Sequence, residues 1–359
     1  MERRSFMKKA AAGAAVGAVA APAVAQTLPT INWRLASSFP KSLDTIYGAA
    51  ETFSKRVSAL TGGKFNIRVF AGGEIVPALQ VMDAVQAGTV EMGHTASYYY
   101  FGKDPTFAFD GVVPFGLNSR QQTAWWDQGG GRDLTREFYR DYGIINFMGG
   151  NTGAQMGGWF RKEVKTVQDL NGLKMRIGGF AGRVMQRLGL VPQQIAGGDI
   201  YPALEKGTID AAEWIGPYDD EKLGFFKVAP YYYTPGWWEA GLQVSFYIGI
   251  KEWEKLPKEY QAAVEAASYE AHVVMQAEYD AKNPPALARL LKNGVKLRQF
   301  SKEIMDACSK AANEVMDEEA SKNAKFKKIY EPWKRFRQDQ NQWASVAELP
   351  LQSYMVNRK

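Results

Sequence analysis

The chain has 359 residues, which is enough for two domains that each bury a core. It carries 44 basic and 38 acidic residues, four of the basic ones within the first 25, so the remainder is nearly balanced and does not indicate a nucleic-acid or membrane-surface partner. The single cysteine, Cys308, excludes an internal disulfide, and two histidines are too few for the usual zinc sites.

Residues 1–25 have the pattern of an export signal. Arg3-Arg4 precede a run of Ala, Gly and Val at 10–21, and Ala23-Val24-Ala25 offers a small-residue cleavage site. Paired arginines before a weakly apolar run are typical of twin-arginine signals, whereas a membrane anchor needs roughly 20 apolar residues. We therefore expect a bacterial protein that is exported by the twin-arginine route and works in the periplasm. No later stretch is apolar enough to span a bilayer.

The first part of the exported chain alternates strands and helices. Apolar periodicity predicts strands at 31–36, 65–70 and 90–95 and helices at 44–60 and 77–86. Strands that alternate with helices form a parallel α/β sheet, so we predict an α/β fold.

The motif at 73–79, Gly-Glu-Ile-Val-Pro-Ala-Leu, is similar to Gly-Asp-Ile-Tyr-Pro-Ala-Leu at 198–204. Two copies indicate two α/β lobes of similar build. We place the start of the second lobe near Ile144, with strands at 144–148 and 173–177 and a helix at 182–188. A strand at 244–250 is expected to cross back to the first lobe.

From residue 257 onward the periodicity is mostly helical, with helices expected at 259–282, 285–291, 303–321 and 325–347. The predicted division is a signal peptide at 1–25, lobe I at 26–143 plus about 240–282, lobe II at 144–239 plus about 283–320, and a C-terminal helical extension at 321–359. The apolar face of this extension, Phe326 to Trp343, either packs on the same chain or contacts a second subunit.

Ligands of open α/β sheets bind beyond the carboxyl ends of the strands. Applied to the strands above, this rule selects a set of polar and aromatic residues: Tyr98 to Tyr100, Asn151, Gln155, Arg176, Glu213 and Trp214. An arginine, amides, phenols and an acid suit an anionic ligand together with a cation.

Arg176 is the expected anion-binding group, because a guanidinium is permanently charged and matches a carboxylate with two parallel hydrogen bonds. Glu213 follows Ala211-Ala212 on an inner strand, so it must be paired with a base or bind a metal. Glu239 is a second candidate oxygen donor. Carboxylate and amide oxygens suit hard cations such as sodium or calcium.

Aromatic residues are frequent near the predicted cleft: Phe115, Trp125-Trp126, Tyr231 to Tyr233 and Trp237-Trp238. They suit a surface that stacks on a sugar, but residues of this kind more often pack the core and loops.

Three motifs, Asp210 to Asp220, Gln193 to Tyr201 and Gly149 to Gly153, resemble those of the extracytoplasmic solute receptors of tripartite ATP-independent periplasmic (TRAP) transporters. The resemblance covers nearly all of the chain after the signal and is closest to the 2-oxo acid-binding branch. It implies a two-lobed periplasmic binding protein fold with a hinge, which closes on a monocarboxylate such as pyruvate and delivers it to a membrane permease.

The resemblance also implies roles for single residues. Arg176 would form a salt bridge with the carboxylate, and Tyr100 and Asn151 would hydrogen-bond the ligand. A cation would be held by four groups: the Gln155 amide, the Glu213 side chain, the Trp214 carbonyl and Glu239. The long C-terminal helix is similar to one exchanged between the subunits of a homodimer.

A 2-oxo acid offers a carboxylate and a keto oxygen that chelate one metal. Two glutamates and the ligand carry three negative charges and Arg176 one positive charge, so calcium would neutralise the cluster and sodium would leave one negative charge. The resemblance implies sodium.

Two alternatives stay open at this point. One is the same receptor with a hydroxy acid such as lactate, or with a larger aromatic or polyol ligand. The other is a metal-dependent oxo acid lyase in which Glu213 and Glu239 do acid–base work. Against the lyase, the sequence offers no catalytic histidine, activated cysteine or Schiff-base lysine.

Overall fold

The structure, a computed structural model, describes residues 28–358, so the expected export signal lies outside the described residues. Its strands are β1 (Ile31–Ser37), β2 (Phe65–Phe70), β3 (Met92–Thr95), β4 (Ile144–Asn151), β5 (Trp159–Phe160), β6 (Lys174–Arg176), β7 (Val191–Gln193), β8 (Ala211–Ala212), β9 (Tyr231–Thr234), β10 (Gln243–Gly249) and β11 (Lys296–Gln299). They form two sheets, which confirms the prediction of two α/β lobes.

The helices are α1 (Ile46–Leu60), α2 (Val81–Gln86), α3 (Ala108–Gly111), α4 (Ser119–Gln128), α5 (Gly131–Arg140), α6 (Gly179–Arg187), α7 (Gly197–Glu205), α8 (Pro217–Leu223), α9 (Ile250–Lys255), α10 (Lys258–Lys292), α11 (Lys302–Lys322), α12 (Ala324–Ala347) and α13 (Leu349–Asn357). No helix in the described range 28–358 is both long and apolar enough to cross a membrane.

The first sheet has the strand order β2-β1-β3-β10-β4. β1 pairs in parallel with β2 and β3, as the alternation of strands and helices predicts. β10 joins the same sheet antiparallel to β3, which confirms that the strand near residue 244 crosses back to the first lobe.

β4 corrects the predicted lobe boundary. It pairs antiparallel with β10 in the first sheet, so a second lobe that starts at Ile144 is wrong for this strand. The error has a physical cause, because β4 and β10 are far apart in sequence and strand pairing at that distance leaves no local pattern. The register shifts between Val244 and Ser245, opposite Gly149 and Gly150, as expected of a β-bulge. The other boundaries stay a prediction.

The second sheet has the order β11-β9-β5-β8-β6-β7. β8 lies between β6 and β5, parallel to the first and antiparallel to the second, so the residues that follow it emerge at the middle of the sheet. Ala211 and Ala212 are fully buried there, because side chains from both faces cover this short strand.

Three segments connect the two sheets: residues 152–158 after β4, residues 235–242 before β10, and helix α10. The first two pair with each other, since the Thr152 amide donates to the Leu242 carbonyl at 3.0 Å and the Gln155 amide to the Glu239 carbonyl at 3.3 Å. We infer that this paired crossing is the hinge that the two-lobed fold requires.

α10 is one continuous helix of 35 residues, although the sequence predicts a break between 282 and 285. Pro284 and Pro285 each remove a helical hydrogen bond, and such a loss usually ends or kinks a helix. Contacts with α8 hold the helix on both sides of the prolines: Asn283 Oδ1 accepts from the Tyr218 amide at 3.0 Å, and Arg289 pairs with Glu221 at 2.6 Å.

The C-terminal extension divides into a packed part and an exposed part. Phe326, Ile329 and Trp333 are buried, and Phe109 of lobe I lies 4.8 Å from the Phe326 ring. Further along, Trp343 is 59% exposed and Val356 of α13 is 83% exposed. The first turns of α12 therefore pack on the same chain, and the apolar residues of its end and of α13 remain uncovered.

Candidate ligand and cation site

Arg176 and Glu213 form a buried ion pair at the carboxyl ends of neighbouring strands. β6 ends at Arg176 and β8 ends one residue before Glu213, so parallel pairing brings the two side chains together. The Arg176 Nη1 group donates to the Glu213 main-chain carbonyl at 2.7 Å and forms a salt bridge with Glu213 Oε1, while Nε donates to the Ile195 carbonyl at 3.2 Å. Each side chain is only 1% exposed.

The second carboxylate comes from the paired crossing. Glu239 Oε2 accepts from Gln155 Nε2 at 2.7 Å, and the same Nε2 group donates to Thr152 Oγ1 at 3.1 Å. Burial and the nearby Glu213 carboxylate hold the pKa of Glu239 well above its usual range. The structure thus gathers Arg176, Gln155, Glu213 and Glu239 into one cluster.

The charges in this cluster do not balance, since two buried carboxylates share one guanidinium. Burial raises the pKa of Glu213 to about 7, although Arg176 acts in the opposite direction. Burial lowers the pKa of Arg176, but Glu213, Glu239 and the neighbouring tyrosines together raise it above its usual value, so Arg176 remains charged. One additional positive charge would relieve the excess.

Two oxygens of the cluster, Glu213 Oε2 and Gln155 Oε1, are buried and have no hydrogen-bond partner. An unsatisfied buried oxygen is costly and requires an explanation, such as a bound ion. Among the described residues no group of three His, Cys, Asp or Glu side chains is arranged for a metal. The set found here instead combines two carboxylates with an amide oxygen, which are ligands that suit a hard cation.

Trp214 follows Glu213 directly, and its indole lies beside the ion pair. The Arg176 Cζ atom is 5.0 Å from the centre of the ring, as in a cation–π contact. The ring lies against Gly197, where a Cβ atom would come within 2.4 Å of the indole Cη2. Only a glycine leaves room for the indole at this position.

Asn151 ends β4 and is fully buried. Its Oδ1 accepts from the Gly153 amide at 2.9 Å, while the Nδ2 group has no partner. Asn151 therefore offers an unused hydrogen-bond donor.

The structure does not bring Tyr100 into the cluster. Its hydroxyl accepts from the Met82 amide at 3.0 Å and shares a hydrogen bond with Thr95 at 3.0 Å, inside the first lobe. Tyr98 and Tyr99 lie there instead. Burial raises the pKa of Tyr98, and the Glu239 carboxylate raises it further; burial also raises the pKa of Tyr99 to about 12, although Arg176 lowers it.

The three tyrosines occupy one 3-10 turn, Ser97–Tyr100. Successive residues of such a turn point about 120° apart, so only some of them can face the second lobe. The sequence singles out this run of residues but does not tell which member faces the charged cluster.

Most of the aromatic residues considered for a sugar-binding surface are buried and pack inside the protein. Phe115 stacks on Trp237 at 5.0 Å, Tyr232 stacks on Trp159 at 3.9 Å, and Trp125 is fully buried. Their contacts are those of core packing, as the near-complete burial of Trp237, Trp238 and Tyr233 shows.

A cleft of about 660 Å³ separates the lobes next to the cluster. Both copies of the repeated motif line it, with Gly73 and Pro77 on one side and Gly198 and Asp199 on the other. Ile195 also borders the cleft and accepts the hydrogen bond from Arg176. The cleft therefore reaches the cluster only through the segment around Ile195, because Arg176 itself is buried and does not line it.

The lobes touch across this cleft. Gln194 Nε2 donates to the Tyr99 carbonyl at 2.9 Å, and the Tyr218 hydroxyl donates to Asp44 Oδ2 at 3.0 Å. Lys222 of the second lobe forms a salt bridge with Asp44 of the first.

Burial disfavours the charged forms of the single cysteine and the two histidines. Cys308 is buried and its pKa is raised to about 12, while burial lowers the pKa of His94 to about 3 and that of His272 to about 4. None of these three groups contacts the cluster.

The sequence model of the family described as "Bacterial extracellular solute-binding protein, family 7" matches residues 36–323. A monocarboxylate 2-oxoacid-binding periplasmic protein of Nostoc sp. is 51% identical over 360 aligned positions, which cover 99% of each chain.

Solved structures of TRAP solute-binding proteins share the fold. One from Bordetella bronchiseptica, a dimer with calcium and picolinate in one of its sites, has a TM-score of 0.90 and 56% identity and covers 91% of this chain and 98% of its own. One from Pseudoalteromonas atlantica, with bound sodium and pyruvate, has a TM-score of 0.88 and 38% identity and covers 92% of this chain and 100% of its own.

Proposed function

Since the chain belongs to family 7 of the bacterial extracellular solute-binding proteins, the periplasmic solute receptors of TRAP transporters, we propose that its ligand is a small 2-oxo monocarboxylate bound together with a cation. The family serves transport rather than catalysis, so the oxo acid lyase considered above is set aside. The receptor delivers its solute to the membrane subunits of the transporter.

One observation carries the proposal. A fully buried arginine lies beside two buried carboxylates, and two oxygens of the same cluster have no partner. The guanidinium would bind the ligand carboxylate, and the unpaired oxygens Glu213 Oε2 and Gln155 Oε1 would bind the cation together with Glu239 and the Trp214 main-chain carbonyl. A 2-oxo acid completes this arrangement because its carboxylate and keto oxygens chelate the same ion.

The hydrogen-bond donors around this ligand would come from Asn151, whose Nδ2 group has no partner, and from the hydroxyls of Tyr98 and Tyr99. These two tyrosines would take the role that the family resemblance implied for Tyr100. The Trp214 indole packs against the Arg176 guanidinium, with its ring centre 5.0 Å from Cζ.

We take sodium as the cation, with calcium as the alternative. The similar structures hold one or the other. Calcium would neutralise the cluster with its ligand, whereas sodium would leave one negative charge, which donation from the tyrosine hydroxyls can offset.

Isothermal titration calorimetry tests the ligand and the cation together. Metal-free protein is titrated with pyruvate, 2-oxobutyrate, lactate and glycerol in sodium, calcium or choline chloride. We expect the 2-oxo acids to bind most tightly and only with a metal ion present. Tighter binding of lactate or of the polyol would contradict the proposed ligand, and equal binding in choline would contradict the cation.

The proposal also includes the export route. Arg3-Arg4 and the weakly apolar run after them support export by the twin-arginine route. A signal-peptide fusion with Arg3→Lys and Arg4→Lys should accumulate in the cytoplasm, and unchanged export would contradict this route.

The exposed apolar residues of the C-terminal extension support a homodimer through α12 and α13. Trp343, Val346, Leu351 and Val356 are 59, 75, 62 and 83% exposed. Such a row of uncovered side chains is typical of an interface. Light scattering should give a dimer for the full chain and a monomer for Val346→Glu with Val356→Glu, and a monomeric parent protein would contradict the proposal.

A further inference from the structure

Asp219 is a buried acid that the proposed site does not use directly. It lies in the first turn of α8, is 0% exposed, and takes part in none of the ion pairs found in the described part of the chain. Its Oδ2 atom accepts from the Trp214 indole at 3.3 Å and from the Tyr279 hydroxyl at 2.7 Å, while its Oδ1 atom has no partner. A buried carboxylate without a base is costly, so its presence requires a reason.

The indole that Asp219 holds is the surface on which Arg176 rests. The ring is fixed from one side by Gly197, against which it packs without space for a Cβ atom, and from another by Phe39, whose ring centre is 6.5 Å away. Neither contact fixes the polar edge of the indole, which carries its N–H group. The hydrogen bond to Asp219 does, and it orients the ring whose centre lies 5.0 Å from the Arg176 Cζ atom.

Asp219 itself is anchored to the helix that runs between the lobes. Tyr279 belongs to α10, whose N-terminal part lies on lobe I, where the Tyr260 hydroxyl donates to the Pro29 carbonyl at 2.8 Å. Its C-terminal part lies on α8 through the pair formed by Arg289 and Glu221. The carboxylate therefore joins three elements at one point.

We propose that Asp219 is a positioning residue, which orients the Trp214 indole so that Arg176 is held ready for the ligand carboxylate. The inference rests on the proposed function, because Arg176 must be the carboxylate-binding group. Asp219 touches neither the ligand nor the cation in this account, and its effect reaches the ligand only through Trp214.

The chemistry of the two hydrogen bonds gives a sharp pair of variants. Both end on the same oxygen, Oδ2, so an asparagine can accept both with its single carbonyl oxygen. Asp219→Asn should keep the pyruvate dissociation constant within about threefold of the parent value. Asp219→Ala removes the acceptor and should weaken pyruvate binding at least about tenfold.

A purely structural role for Asp219 would lower the melting temperature but would not act through the Trp214 indole. A double-mutant cycle with Trp214→Phe separates the two roles. Phenylalanine keeps an aromatic ring but lacks the N–H donor. If Asp219 acts through the indole, adding Asp219→Ala to Trp214→Phe should weaken pyruvate binding by no more than about threefold further. A further tenfold loss in that background would overturn the proposal.

The titrations use the full chain, pyruvate and sodium chloride, with melting temperatures measured alongside. The matched control is Asp110→Ala, because Asp110 is also fully buried and accepts from a tyrosine hydroxyl, that of Tyr139 at 2.8 Å. This control should melt at a lower temperature but bind pyruvate as the parent does. Binding by Asp219→Ala within threefold of the parent would overturn the inference.

Two further outcomes are decisive. If Asp219→Ala does not fold, Trp214→Phe alone carries the test: a loss of at least tenfold supports the inference and parent-like binding overturns it. If the parent protein binds no 2-oxo acid, the proposed function itself fails, which differs from a parent that binds and an Asp219→Ala variant that binds equally well.

Discussion

Replacing Arg176 by alanine should abolish tight binding of the ligand. Arg176 is the buried cation beside Glu213 and Glu239, and its side chain is 1% exposed. Truncating one member of a buried, hydrogen-bonded charge pair costs about 2–5 kcal/mol of binding, partly because the partner charge stays buried. At about 1.4 kcal/mol per tenfold change, the pyruvate dissociation constant should rise by about 30-fold to several thousand-fold.

The same change also affects folding, and the two effects must be separated. Without Arg176, Glu213 is a buried carboxylate without a base, and breaking such a pair typically costs about 3–5 kcal/mol of stability. The double variant Arg176→Met with Glu213→Gln removes both charges at similar volume. It should regain most of the lost melting temperature and still fail to bind pyruvate.

Calorimetric titration with pyruvate, together with scanning calorimetry of each variant, provides the two readouts. Arg176→Lys keeps the charge but cannot make the parallel hydrogen bonds of a guanidinium, so an intermediate affinity is expected. A folded Arg176→Ala variant that loses less than tenfold in affinity would refute the reasoning, because the carboxylate would then lie elsewhere.

Three further results are expected. Burial raises the pKa of Asp110 from 3.8 to about 6, so its contribution to stability is present below pH 3.8 and lost as pH rises through about 6. The melting temperature of the parent minus that of Asp110→Asn should therefore fall between pH 4 and 6, and a rising difference would contradict the assigned shift. Asp44→Ala removes the salt bridge with Lys222 across the cleft, and since such exposed pairs contribute at most about 1 kcal/mol, pyruvate affinity should drop by less than about fivefold. Glu239→Gln should raise the sodium concentration needed for half-maximal pyruvate binding by at least about tenfold, as followed by calorimetry, whereas an unchanged requirement would remove Glu239 from the cation site.

The strand-end rule located most of the candidate site from sequence. Arg176 and Glu213 come after short inner strands, and parallel pairing of β6 with β8 brings them together as expected. Short apolar stretches mark such strands, and because the carboxyl ends of parallel strands share one edge, their proximity is expected once both are assigned to one parallel sheet.

Other features depended on long-range packing and could not be predicted. β4 joins the first sheet only because β10, almost a hundred residues later, lies beside it. Helices α4 and α5, which fill the interval between 119 and 140, were not predicted because their apolar residues are sparse and their stability comes from packing. α10 continues through Pro284 and Pro285 because tertiary contacts with α8 outweigh the local break signal.

The sequence alone could not predict which of Tyr98, Tyr99 and Tyr100 faces the charged cluster. All three follow β3, and all three are buried. Rotation of about 120° per residue in the 3-10 turn sends the Tyr100 hydroxyl to Met82 and Thr95 rather than to the charged cluster. The sequence pattern therefore does not predict the direction in which each tyrosine side chain points.

The central claim is that Arg176 and a hard cation grip one small carboxylate together. A crystal structure of the full receptor with pyruvate, grown in sodium-containing and calcium-free buffer, tests it most directly. The account predicts the pyruvate carboxylate within hydrogen-bond distance of Arg176 and a metal ion bridging pyruvate to Gln155, Glu213 and Glu239. A pyruvate bound away from Arg176, or held there with no ion between it and the two glutamates, would contradict it.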